Sequence, residues 1–371
     1  MKNIGLVALI LSLVALGFPS NAQQPALKAQ IHGLMNRGRL AVDKPDQPPN
    51  NSLDEIEALP SGIFDGVTIN LKWVQLQPTP DRLDTASLDS ALAEVRSYNR
   101  QHSQTPLAVK LRIWQGADSP DWVKNLGAPA VAIVHKDRAI TIGRFWSPEY
   151  RQAWRAFQLK LSEKYDAEPL IREVTNTSCS SVTDEPFVMN VINKKEKEIE
   201  AVEHLMKAGF TDAAYRDCLM QSANDYTGWR TTSIDFPVGG YRRIDNGKAE
   251  HDRRVDFEVM SAFRQALGAR AILSNHALAS KEQSLGPRGI GETADLIKQL
   301  GPPIEFQTAN PKAEWLQGGA LDWDSTIRYG IFLGASAIEL WDESKKDRGF
   351  LDIAPEKLRE WSAALKQNSR Q

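Results

Sequence analysis

From residue 27 onward, short runs rich in β-branched and other apolar residues alternate with longer stretches in which apolar positions recur every three or four residues. That alternation is the pattern of parallel strands joined by crossover helices. The predicted strands cover residues 30–34, 66–71, 107–113, 170–175, 232–236, 269–273, 304–307 and 337–341. Helices are predicted between them at 53–58, 88–98, 148–164, 196–222, 252–267, 292–300 and 322–330, with a terminal helix at 355–366. Gly268, and Gly301 with Pro302, stop two of these helices just before the sixth and seventh strands. A count of eight strands, each followed by a crossover, makes the expected fold an α/β chain in the (β/α)8 TIM-barrel form. A doubly wound open sheet is the other arrangement of such a pattern, but no Gly-rich phosphate loop follows an early strand. Residues 43–51, rich in Pro and Asn, read as a loop, and so do the 280s.

The N-terminus adds a separate element. Lys2 precedes a largely apolar run from Ile4 to Phe18, and Pro19, Ser20, Asn21 and Ala22 lead into polar Gln23. This is the layout of a secretory signal peptide, with cleavage expected after Ala22 and a secreted or periplasmic mature protein. A retained membrane anchor is the alternative reading, although the run falls short of the ~20 apolar residues of a span. The expected organisation is a signal peptide over 1–22 and one catalytic barrel domain over 23–371.

Composition narrows the field of partners. With 42% hydrophobic and 25% charged residues the chain has a globular balance, and its net charge of -2 is built from interspersed signs. No basic cluster points to nucleic acid, and no later segment points to a membrane. The two cysteines, Cys179 and Cys218, lie where export would permit a disulfide, and spacing leaves open whether they approach closely enough to form one. The six histidines include no pair at i, i+4, so no metal is expected. No Gly-x-Ser-x-Gly elbow supports a serine nucleophile.

Working groups of a barrel sit at the C-terminal ends of its strands and in the loops beyond. The loop after the fourth strand runs from Asn176 through Ser178, Cys179 and Ser180 to Asp184, Glu185 and Pro186. A carboxyl group there can be held over a pocket and desolvated, which raises its pKa toward that of a general acid. Acids at the same place equally suit the positive end of a following helix. The seventh strand carries Glu305 and Gln307 on one face, with Gln307 nearer the mouth, and the eighth carries Glu339 with Trp341 two residues on. Among the ten tryptophans, Trp73, Trp114, Trp122 and Trp341 fall at strand ends or just after them, where an aromatic face can stack against a sugar ring. His276 beside Asn275, His32, and Asp235 are further candidates for binding substrate or for tying down loops.

Three stretches carry a resemblance. Glu185–Pro186 after the fourth strand resembles the Asn-Glu-Pro signature of clan A glycoside hydrolases, with Asp184 in place of the Asn. The run from Trp73 to Pro78, with Asp81 to Asp84, is similar to the turn after strand two in family 42 and family 5 enzymes. Trp114, Gln115 and Gly116, with Ser119, Pro120, Asp121 and Trp122, look like their loop after strand three. Order and spacing, over residues 66 to 186, carry the likeness more than any single motif.

The resemblance implies an O-glycosyl hydrolase that needs no cofactor and acts on an oligosaccharide or polysaccharide. It makes Glu185 the acid/base and places the nucleophile at the end of strand seven, where Glu305 is the expected residue. If Gln307 instead occupies the family's position and Glu305 is a buried layer residue, Glu339 is the alternative nucleophile. Trp73, Trp114, Asn176, Asp184, His276, Gln307 and Trp341 are the expected substrate contacts. The strand-eight tryptophan of the clan lies beneath the substrate, and Trp341 matches it. Asp184 and the ambiguous strand seven also fit a second class of protein, a carbohydrate-binding barrel that has lost the hydrolytic constellation.

Overall fold

The computed structural model describes residues 26–38, 53–135, 138–186, 202–244, 250–285, 290–309, 323–341 and 349–370. The signal segment, the loop at 43–51 and the beginning of the helix predicted from 196 lie outside the described residues. Eight parallel strands close into a barrel: β1 (Gly33–Asn36), β2 (Phe64–Lys72), β3 (Ala108–Trp114), β4 (Ile171–Thr175), β5 (Ser233–Pro237), β6 (Ala271–Leu278), β7 (Ile304–Thr308) and β8 (Ala337–Leu340). Each pairs with its neighbours in sequence, and the β1–β8 register from Gly33↔Ala337 to Asn36↔Leu340 closes the ring. The barrel predicted from the alternation of strands and helices is therefore present.

The crossover helices form where sequence places an apolar stripe between stop signals. Helix Arg253–Leu267 starts at Asp252, whose carboxylate accepts from the Arg254 and Val255 amides, and ends at Gly268 with φ 57°. Its buried Val255, Val259, Met260, Phe263 and Leu267 make one face against the sheet. Helix Pro148–Tyr165 is opened by Ser147 as cap and Pro148 in the first turn.

Three differences from the sequence reading have local causes. β1 starts at Gly33 rather than residue 30, because the preceding residues bend across the barrel floor, where the Ile31 amide donates to Glu173 Oε1 at 2.6 Å. The helix predicted over 196–222 is split. A helix over 202–207 ends at Gly209, with φ 87°, and a new one, Asp212–Met220, begins at the Thr211 cap. Two antiparallel hairpins were not foreseen, Val131–His135 with Arg138–Ile142 after β3, and Arg242–Arg243 with Glu250–His251 after β5. Their strands are too short or too mixed in polarity to stand out from a loop.

Cys179 and Cys218 form a disulfide, with Cα atoms 6.0 Å apart. Among the described residues no helix is long and apolar enough to cross a membrane.

Candidate active site

Along β3 the residues at 109, 111 and 113 are Val, Leu and Ile and pack outward in the main core, whereas 108, 110, 112 and 114 are Ala, Lys, Arg and Trp. Alternation turns the second set into the barrel, about 6–7 Å apart per pair of residues. Ala108 joins Ile31, Met35 and Ala337 in a small apolar plug. One step higher, Lys110 Nζ reaches carboxylates from four other strands: Glu173 of β4 at 3.5 Å, Asp235 of β5 at 3.3 Å, Glu339 of β8 at 3.0 Å, and Glu305 of β7 in the closest contact of all. All five side chains are buried. A barrel interior is ordinarily filled at this level by branched apolar residues. Here it is filled by a cation surrounded by acids.

The next step up is Arg112, at the level of the mouth. Its Nη2 donates to both oxygens of Glu339 at 2.7 and 2.8 Å, and its Nη1 donates to Gln307 Oε1 at 3.2 Å. Its Nε lies 3.1 Å from Asp184 Oδ2. His276 completes the group, with Nδ1 3.1 Å from the same Asp184 oxygen and Nε2 3.3 Å from Arg112 Nη2. Thus β3, β6, β7, β8 and the loop after β4 meet around one guanidinium.

The acids of this network are driven apart in acidity. Burial alone would raise Glu339, but Arg112 and then Lys110 outweigh it and hold its carboxyl down at about 2. Burial works against Asp184 as well, and His276 and Arg112 reverse it to keep that carboxyl well below the usual range. Glu185 goes the other way. Burial pushes it up and Asp184 adds to this, and the pull of His276 and Arg112 does not cancel them. Deeper in, burial and the neighbouring Glu173 carry Glu305 well above the ordinary carboxylate value despite Lys110.

The structure brings Asp184, Glu185, His276, Gln307 and Glu339 together and removes others from the set. Glu305, the expected nucleophile, lies beneath the mouth, 1% exposed and bound to Lys110, and Gln307 takes the higher position on β7. Trp73 is not at the mouth. The chain turns at the end of β2 into the one-turn helix Trp73–Leu76, and the indole enters an aromatic core with Trp122, Tyr150, Trp154 and Phe157 at centroid distances of 4.9–6.2 Å. Asn176 is fully buried, donating to Ser222 Oγ at 2.9 Å and accepting from the Ser178 amide at 3.0 Å, so its carboxamide shapes the loop. Trp114 is half-buried, with its indole N–H on Asn70 Oδ1 at 3.2 Å. Trp341 is half-buried too, and the Arg37 guanidinium lies 3.5 Å from its ring centroid, over one face.

Lys110, Arg112 and Arg37 were missed in the sequence, and two of them left a signal there. Lys110 and Arg112 are alternate cations in a strand whose intervening residues are all aliphatic. In a sheet whose outer face packs on helices, such a pair has to enter the barrel and find acids. Asp235, His276 and Glu339 offer ligand atoms within 4.8 Å of one another, the spacing of a cation site. Lys110 already lies against Asp235 and Glu339, and Arg112 against Glu339 and His276, so the charge of these acids is met by the protein's own cations.

No protein-family model and no curated protein matches the chain. Solved structures do. The exo-β-1,4-mannosidase Op5Man5 from Opitutaceae bacterium strain TAV5 is 12% identical with a TM-score of 0.50, over 95% of this chain and 63% of that one. The shared architecture is the closed (β/α)8 barrel. A GH5_18 protein from Bifidobacterium longum subsp. longum, in complex with Manβ1-4GlcNAc, matches with 15% identity and a TM-score of 0.49, over 91% and 78% of the two chains. An endo-β-1,4-glucanase from Xanthomonas axonopodis pv. citri does so with 10% identity and a TM-score of 0.48, over 90% and 99%. The chain spans less than two thirds of the mannosidase's length, and at these identities the likeness is one of fold.

Proposed function

We propose that the protein is an exported glycoside hydrolase that cleaves O-glycosidic bonds of an oligo- or polysaccharide, with Glu185 as proton donor and Glu339 as the partner carboxylate. The observation that carries this reading is the opposite displacement of two carboxyl groups in one network. Glu185 is pushed up toward the protonated form, and Glu339 is held ionised by Arg112 and Lys110. Two acids separated in this way have the roles of general acid and of nucleophile or electrostatic stabiliser. Glu305 does not fit the second role, because it lies one layer beneath Gln307 and Glu339 on the barrel wall, against Lys110. Export rests on the apolar run behind Lys2.

In the proposed reaction, Glu185 gives its proton to the departing glycosidic oxygen while Glu339 attacks the anomeric carbon. Water then opens the glycosyl ester with Glu185 as base, which retains configuration. Asp184 stands where the clan has Asn and is already engaged by Arg112 and His276. Its part is to fix those two groups. Trp114 and Trp341 offer the aromatic surfaces nearest the mouth.

Purified protein screened against plant and bacterial glycans tests the activity. Glu185→Gln should lower turnover of a glycan by ~10²-fold or more while sparing an aryl glycoside with a good leaving group, which hardly needs the proton. Glu339→Gln should abolish turnover of both, whereas Glu305→Gln should keep most of it. Equal small losses in all three variants would refute the assignment. The second reading, a carbohydrate-binding barrel, is favoured by one observation: the mouth position of β7 holds the uncharged Gln307, bound to Arg112. Glycan binding by calorimetry with no released sugar would establish it in place of the first.

A further inference from the structure

The loop that carries Asp184 and Glu185 is fastened along its length. The Thr177 hydroxyl donates to Ile113 O at 2.6 Å, Trp154 Nε1 to Ser178 Oγ at 2.9 Å, the Ser178 hydroxyl to Asp225 at 2.8 Å, and the Ala117 amide to Ser181 O at 2.8 Å. All of these act before Asp184. One element holds the loop on both sides of the two acids. Helix Asp212–Met220 presents Tyr215, Cys218 and Leu219 on its buried face. Cys218 is bonded to Cys179, upstream of Asp184, and the Tyr215 hydroxyl donates to Pro186 O at 2.7 Å, immediately downstream of Glu185. Cys179 has a φ of 66°, the only positive value at a non-glycine residue among the described residues, a conformation that persists where surrounding contacts impose it.

The helix is itself anchored. The Tyr215 ring stacks on Tyr241 with centroids 5.4 Å apart and lies edge-on to Phe145 at 6.0 Å. The Tyr241 hydroxyl donates back to Asp212 O at 2.8 Å, and its amide donates to Asp256 at 2.6 Å. Asp256 in turn sits 2.5 Å from His251 Nε2 in the hairpin after β5.

We propose that helix Asp212–Met220 is a clamp that sets the position of the Glu185 carboxyl, with Tyr215 and the Cys179–Cys218 bridge as its two jaws. Tyr215 is then a positioning residue, acting on chemistry through the Pro186 carbonyl. The inference rests on Glu185 being the proton donor, but its geometric content is separate from that reading. A carboxyl that must reach a leaving oxygen is sensitive to displacements well below its own length, so loosening either jaw affects proton transfer before it affects binding.

Two variants test the clamp, Tyr215→Phe, which removes only the hydroxyl, and Cys179→Ala with Cys218→Ala, which removes the covalent jaw. Amide hydrogen exchange of the intact protein needs no substrate. It should rise by roughly 5-fold or more in residues 180–186 of each variant and, in Tyr215→Phe, stay unchanged in the barrel strands. A carbon-13 titration of the Glu185 carboxyl should move between wild type and Tyr215→Phe. With substrate, Tyr215→Phe should lower kcat on a glycan about 10-fold at constant KM and leave an activated aryl glycoside within about twofold. Unchanged exchange in 180–186, or a uniform rise over the barrel with an unmoved Glu185 titration, would overturn the proposal and leave Tyr215 as ordinary packing. If wild type hydrolyses no glycan, the hydrolase reading falls, and the exchange and titration results still decide the clamp.

Discussion

Lys110 is the residue on which the barrel interior depends. Its ammonium is buried among four acidic side chains. A buried ion pair adds little net stability, because desolvation offsets the attraction, but removal of one partner leaves charge stranded. Lys110→Met should therefore cost about 3–5 kcal/mol in urea unfolding. Glu339→Gln in the same chain should recover part of that loss, since it deletes one of the ionised acids left behind.

Glu305 also sets a pH dependence. Its folded carboxyl is raised above the value in the unfolded chain, so the folded state holds a proton that the unfolded state releases. That contribution is complete below the unfolded pKa and is lost as pH rises through the folded one. Glu339, held at about 2, acts in the opposite sense and weakens the fold only as pH falls toward that value. Unfolding free energy should thus decline as pH rises above the ordinary carboxylate range, and Glu305→Gln should flatten the decline. An identical slope in the variant would show that other groups carry it.

At the scale of elements, the turn after β3 and the loop after β4 touch through backbone. Gly116 has φ 63°, and a Cβ there would fall 2.0 Å from Ser181 O, a carbonyl with no freedom to swing aside. Gly268, at the end of helix Arg253–Leu267, also has positive φ, 57°, but nothing lies within 4 Å of its Cβ position. Gly268→Ala should cost only the backbone strain, about 1 kcal/mol. Gly116→Ala should cost about 1–3 kcal/mol and displace the segment leading to Asp184, lowering turnover as well as stability. Thermal unfolding and glycan turnover of the two variants compared side by side would check this. Equal effects would mean that the contact at Ser181 does not transmit to the site.

For the whole molecule, the disulfide closes a span of 39 residues that includes the acid-bearing loop and the broken helix. In the chain-entropy picture a loop of that size contributes ~4 kcal/mol by restricting the unfolded state. Replacement of both cysteines by Ala should lower the unfolding free energy by up to that amount, measured in denaturant with no reductant present. A loss close to zero would indicate that the unfolded chain is already compact across this span.

The order of strands and helices, and hence the closed barrel, was legible in the sequence, because each element carries its own period and its own stop signals. The alternation that puts Glu305 and Gln307 on one face of β7 was legible for the same reason. Which of the two stands at the mouth in a usable state was not. That depends on Lys110 arriving from β3 beneath Glu305 and on Arg112 arriving above it against Glu339, distances in sequence that no local pattern encodes. Trp73 shows the same limit, since the chain bends at the end of β2 and the indole leaves the mouth for the core. Sequence alone determined the elements and the residue types available; the tertiary structure decided which carboxyl groups are neutralised, because burial and charge pairing act through space among strands far apart in the chain.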